Sequence, residues 1–86
     1  MHYVYVLQAL DDCEVFYLGF SSNLRQRVKT QNAGGNASTV RHRWRVVYYE
    51  ADVNEGAARR REATLKRSSS QRSVLMRRVR SSLQSD

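Results

Sequence analysis

Cysteine occurs once in these 86 residues, at Cys13, so no disulfide can form within the chain. Histidine is nearly as scarce: His2 and His42 with a single thiolate are too few for a structural zinc cage. A small domain without disulfides suits a reducing cytoplasm, the expected compartment. No apolar stretch approaches the ~20 residues that cross a bilayer. The N-terminus also lacks the charged-then-apolar layout of a signal peptide, so no membrane insertion is expected. Acids are missing from long tracts. Between Ser21 and Tyr49 there is none, against six basic residues: Arg25, Arg27, Lys29, Arg41, Arg43 and Arg45. From Arg59 to Arg80 one acid, Glu62, stands among nine basic residues.

The net charge is +7 and arginine outnumbers lysine thirteen to two, which favours bidentate phosphate contacts over diffuse solvation. Nucleic acid is therefore the leading partner, ahead of an acidic membrane surface. Apolar residues make up 41% and charged residues 27%, the composition of a folded domain and not of a disordered tail. One domain is expected over residues 1–83, with a frayed end at 84–86. A chain of this length buries roughly 60–65% of its unfolded surface, which leaves no surplus core residues.

Hydrophobic alternation marks strands over His2–Leu10 and Val15–Phe20, joined through the polar turn Asp11-Asp12-Cys13-Glu14. Phe16, Leu18 and Phe20 share one face of the second strand, and Val15, Tyr17 and Gly19 the other. Ser21 or Ser22 can cap a helix from about Asn23 to Gln31, with Leu24 and Val28 on its inner stripe. Asn32 to Asn36 ends it and opens a flexible loop that turns basic at Arg41. A third strand follows over Arg43–Ala51, then a helix from Glu55 to about Arg67 capped by Asn54. Ser68 to Ser70 breaks that helix or caps the last one, Gln71 to about Leu83. The order β-β-α-β-α-α predicts an α+β domain, a largely antiparallel three-stranded sheet flanked by helices.

Glu62 shares a helix stripe with Ala58 and Leu65, so its carboxylate is directed toward the body of the protein. Such a carboxylate is costly unless a basic side chain or a metal pairs with it. Arg27, three positions after Leu24 and next to Val28, falls near an inner stripe, whereas Arg25 is expected to point outward. Tyr3, Tyr5 and Tyr17 are favoured strand residues that can also relay a proton. Gly19 marks either a bulge or a close approach by another group.

Tyr3-Val4-Tyr5, Tyr17-Leu18-Gly19, Asn23-Leu24, Arg27, Asn32, Val47-Tyr48-Tyr49-Glu50, Ala58, Arg61-Glu62 and Leu65-Lys66 stand in that order. The series resembles the GIY-YIG nuclease superfamily, in particular its small stand-alone bacterial members, over about residues 2–80. The resemblance implies hydrolysis of phosphodiester bonds with one divalent ion, Mg²⁺ or Mn²⁺. Glu62 would be the metal ligand, and Arg27 would stabilise the charged transition state. Tyr5 or Tyr17 would help deprotonate the attacking water. Arg25, Lys29, Arg41, Arg43, Arg59 and Lys66 are the expected backbone contacts to nucleic acid. DNA is favoured over RNA, with selection by structure and not by sequence. Three positions depart from the pattern, and one family residue has no clear match. Tyr3 stands where the namesake glycine would be, and Gln31 where many members have a histidine. Phe20 follows the glycine where others carry a polar or basic residue, and no residue matches a late asparagine used in some branches. The alternative is a weak or inactive module that binds nucleic acid or a partner on the same fold.

Overall fold

The computed structural model describes residues 1–34 and 42–84. Its elements are β1 (His2–Ala9), β2 (Phe16–Ser21), α1 (Leu24–Asn32), β3 (Trp44–Asp52), α2 (Glu55–Arg67) and α3 (Ser69–Gln84). The sheet runs β2-β1-β3 with both pairings antiparallel. This is the expected α+β fold in the expected order. The loop expected after Gly34, with Arg41 in it, lies outside the described residues, as do Ser85 and Asp86; Gln84, expected to fray, closes α3.

β1 occupies the centre because both of its faces are apolar. Val4 and Val6 pack with Ala58 and Leu65 of α2 and Leu75 and Val79 of α3. Tyr5, Leu7 and Ala9 pack on the opposite face with Trp44, and Tyr17, Leu24 and Val28 close over them. Burying a valine or leucine fully contributes roughly 1.5–3 kcal/mol, so this single strand anchors both layers. The faces of β2 divide as its alternation predicts, Phe16, Leu18 and Phe20 toward α2 and α3, Tyr17 toward α1.

Two helix starts differ from the sequence reading. Asn23, not Ser21 or Ser22, caps α1: its side chain accepts from the Gln26 N–H at 3.2 Å. Ser21 still belongs to β2, and its hydroxyl accepts from the Asn23 N–H at 3.0 Å, which holds the cap in place. α3 starts at Ser69, two residues before the expected Gln71, because the Ser68 hydroxyl accepts from the Gln71 N–H and satisfies the first turn. The end of α1 is tied down twice. Gly34 takes the left-handed φ of 81° that a helix exit requires and donates to the Gln31 carbonyl. The Asn32 side chain accepts from the Trp44 N–H at 2.7 Å and donates to the Trp44 carbonyl at 3.2 Å. It thereby imitates a strand partner at the start of β3.

α2 is fixed to β3 by a polar clamp. Arg61 donates to both carboxylate oxygens of Glu50, at 2.9–3.2 Å, and the Tyr48 hydroxyl donates to the same carboxylate at 2.7 Å. Burial works to raise the Glu50 carboxyl, but the bonds from Arg61 and Tyr48 outweigh it and hold the group below the ordinary carboxylate range. Glu62 follows Arg61 directly, so the clamp sets the rotation of the helix that carries it.

Candidate active site

The site begins with a strand pairing. Tyr5 on β1 lies directly across from Gly19 on β2, and cross-strand partners project to the same face. A Cβ at residue 19 would lie 2.5 Å from the Tyr5 hydroxyl oxygen, 2.7 Å from its Cζ and 3.0 Å from a Tyr17 ring carbon. Gly19 is therefore empty space that the Tyr5 ring fills. It is not a bulge, since the β1–β2 register is unbroken from Tyr3 to Gln8. Gly19→Ala should consequently cost roughly 1–3 kcal/mol through overpacking, because the ring it meets is rigid and fully buried. Thermal unfolding checks this; adding Tyr5→Phe should recover only part of the loss, as Cζ stays in the way.

The Tyr5 hydroxyl donates to Gln31 Oε1 at 3.2 Å. Burial pushes its pKa up to about 12, the neighbouring Tyr17 adds to the rise, and the Arg27 guanidinium opposes it. The phenol is thus a neutral hydroxyl near pH 7. Gln31 is 1% exposed, and its Nε2 is a buried donor with no partner among the described residues. A donor left in that state costs about 1–3 kcal/mol unless something accepts from it.

Gln31 and Arg27 are one helical turn apart on α1, and both line a cleft of about 830 Å³ between this helix, the end of β2 and α2. Glu62 and Arg59 form the α2 wall. Glu62 is half-buried and pairs with Lys66, one turn further along, at 3.0 Å. Its partner is thus a lysine, although arginines crowd the helix. Arg59 pairs with Glu55 at 2.8 Å, and its guanidinium lies 4.4 Å from the centre of the Phe20 ring. Phe20, a departure from the family pattern, is the platform that carries this arginine.

The structure thus brings Arg27, Gln31, Arg59 and Glu62 to one cleft, with the Tyr5 hydroxyl one hydrogen bond behind it. Other expected site residues sit elsewhere. Tyr17 is half-buried in a row with Tyr5 and Trp44, its ring centre 6.4 and 6.1 Å from theirs. Arg27 is exposed at the cleft wall and not on the inner stripe, which Leu24, Val28 and Gln31 occupy. Arg25 and Lys29 line a neighbouring hollow. Arg43 precedes β3 at the Ala9–Trp44 end of the sheet, whereas Phe20 and Ser21 of the cleft pair with Val4 and Tyr3 at the other end. Arg41 lies outside the described residues. The pairing of Gln31 with Tyr5 is not evident from the sequence; its signal is the place of Gln31 four residues after Arg27.

A family model described as the GIY-YIG catalytic domain matches residues 1–75. The chain belongs to the GIY-YIG family. It is 38% identical to a UPF0213 protein of Clostridium perfringens over 69 residues, 78% of this chain and 72% of the relative. A UPF0213 protein of Streptococcus pyogenes serotype M3 is 37% identical over 67 residues, 76% of this chain and 71% of the relative. No solved structure matches the chain. A nuclease-type domain of this family acts on nucleic acid, in keeping with the basic surface. Among the described residues no helix is long and apolar enough to cross a membrane.

The family's divalent ion can be weighed against the donors present. Glu62 is the one carboxylate among the described residues that line the cleft, and among the described residues no three His, Cys, Asp or Glu side chains converge. That donor set does not suit zinc or calcium, which demand several protein ligands. It suits magnesium, which keeps most of its waters and takes one carboxylate plus phosphate oxygens. The chain's chemistry therefore fits a hard ion held jointly by Glu62 and the substrate.

Proposed function

We propose that this GIY-YIG domain is an endonuclease that hydrolyses phosphodiester bonds in DNA with one Mg²⁺ or Mn²⁺, selecting by structure and not by sequence. The observation that carries the reading is the single cleft in which Arg27, Gln31 and Glu62 meet beside the buried Tyr5 hydroxyl. Arg27 grips a non-bridging oxygen of the scissile phosphate and offsets charge that grows as the water attacks. Gln31, at the edge of the cleft, offers its unpaired Nε2 donor to a second oxygen of the same group after a small turn of its side chain. Glu62 holds the ion, which when bound polarises the phosphate and makes water more acidic. Tyr5, neutral at working pH and buried behind Gln31, holds the Gln31 carboxamide oxygen with its hydroxyl at the edge of the cleft, and Arg27 lies beside it. Arg59, Arg25 and Lys29 contact the backbone on either side, and contacts of that kind carry no sequence information. A reducing cytoplasm suits the exposed free thiol of Cys13.

A second reading is a binding module with little or no turnover. It is favoured by two observations: Lys66 sits on Glu62 at 3.0 Å, and a carboxamide that cannot take up a proton occupies position 31. Cleavage and binding of branched, nicked, duplex and single-stranded DNA and RNA oligonucleotides, with Mg²⁺, Mn²⁺ or EDTA, separate the two. The nuclease reading expects binding that weakens steeply with salt, and cleavage that EDTA abolishes. Binding without cleavage in any divalent ion would establish the module instead.

A further inference from the structure

We propose that the hollow between α1 and the outer strand β3 receives one unpaired nucleotide flanking the scissile phosphate. Its base stacks on Tyr49 and its phosphate lies on Arg25 and Lys29. The inference rests on the nuclease reading above and names the substrate feature that the domain selects: an unpaired nucleotide beside the cleavage point.

The hollow measures about 630 Å³, within the range that holds a small organic ligand. Ser22 and Asn23 line both it and the catalytic cleft, so one surface runs from Arg27 around the start of α1 to Arg25. Arg25 and Lys29 are one helical turn apart and face the same hollow, in which no acid takes part. The opposite wall is aromatic. Tyr49 is 57% exposed although it lies in a strand, and Tyr3 braces it edge-on with ring centres 5.8 Å apart.

A register slip in the sheet creates this wall. β1 pairs Val6 with Tyr48 but Leu7 with Val46, so Val47 is an extra residue on β3. The slip puts Val46 and Tyr49 on the same face although their spacing in a regular strand would separate them. α1, only nine residues long, is tied to β3 at the Asn32–Trp44 pair, and further along the strand Tyr49 stays exposed. The result is an exposed ring with cations beside it, the arrangement by which proteins hold unpaired bases without reading them.

The polar groups at the junction are already engaged. The Asn23 side chain caps α1, and the Ser22 hydroxyl contacts His2 Nδ1 at 3.2 Å. With these held in place, the hollow offers a ring to an aromatic base and two cations to a phosphate. A base in a continuous duplex is stacked on both sides and cannot lie on Tyr49. An unpaired nucleotide at a flap, gap or branch can.

Fluorescence anisotropy of two labelled DNAs tests this, one a blunt duplex and the other the same duplex carrying a single-stranded overhang. Measurement in EDTA separates binding from turnover. Wild type should bind the overhang DNA more tightly, and Tyr49→Ala should weaken that binding roughly tenfold while changing the blunt duplex less than about twofold. Tyr49→Phe should retain the preference, because the ring alone is required. The double variant Arg25→Ala, Lys29→Ala should flatten the salt dependence for the overhang DNA more than for the duplex. Equal binding of both DNAs by wild type, or an equal loss on both in Tyr49→Ala, would overturn the inference and leave the nuclease reading standing. Binding of neither would overturn both. A dimer in sedimentation that Tyr49→Ala dissociates would make this face a contact between copies and would also overturn it.

Discussion

Arg27→Ala should lower the rate of cleavage by about a thousandfold or more while the fold is kept. Arg27 is exposed, so its removal opens no cavity, and unfolding should move by no more than about 0.5 kcal/mol. On the proposed mechanism Arg27 acts in two ways. Its guanidinium lines the cleft, and on this mechanism it faces the phosphate whose charge grows in the transition state, where a preorganised arginine is worth roughly 10³–10⁵ in rate. It also opposes the burial that raises Tyr5, so without it the phenol gives up its proton still less readily. Binding should weaken little, since one cation among many is lost. Arg27→Lys should restore only part of the rate, because an ammonium lacks the planar fork. Single-turnover kinetics beside equilibrium binding check the division: a large loss in the chemical step with affinity nearly unchanged. An unaltered rate in Arg27→Ala would remove this residue from the mechanism.

Glu62→Gln is expected to abolish metal-dependent turnover at little cost in stability. The substitution keeps the shape and removes the charge that attracts a divalent ion. The pair with Lys66 that it breaks is a half-exposed contact one helical turn apart, worth about 0.3–0.5 kcal/mol. The same small figure decides how the carboxylate can serve an ion at all. Displacing Lys66 therefore costs little, and an ion held by Glu62 and substrate oxygens would contribute several kcal/mol to a phosphoryl transition state. Losing that contribution means roughly a thousandfold or more in rate. Mn²⁺ binding in the presence of a non-cleavable oligonucleotide, followed by its paramagnetic resonance, should be strong in wild type and weak in Glu62→Gln. Lys66→Met should tighten it slightly. Equal Mn²⁺ binding in wild type and Glu62→Gln would show that the ion sits elsewhere.

Much of this arrangement is legible in the sequence because it rests on local rules. β1 alternates between two apolar faces, and both are buried. α2 begins and ends where Asn54 and Ser68 dictate, and Ala58, Glu62 and Leu65 fall on one stripe as helical spacing requires. What is not legible depends on partners distant in the chain. Gly19 reads equally well as a bulge until the register sets it against Tyr5. The slip at Val47 has no local signature, since Val46, Val47, Tyr48 and Tyr49 are all good strand residues. Ser21, Ser22 and Asn23 can each cap a helix, and only the end of β2 decides among them. α1 has just two apolar positions, too few to fix its rotation, so Arg27 and Arg25 cannot be assigned to their separate hollows from spacing alone. The clamp of Tyr48, Glu50 and Arg61 joins two segments whose pairing only the folded sheet brings about.

The central claim is that the Arg27–Glu62 cleft cuts phosphodiester bonds with a divalent ion. Its most direct test is cleavage of one end-labelled flap DNA by wild type and Glu62→Gln, purified in parallel and assayed in Mg²⁺. Wild type should cut at a defined position near the branch, and Glu62→Gln should leave the DNA whole while still binding it. Equal cleavage by the two proteins would contradict the account.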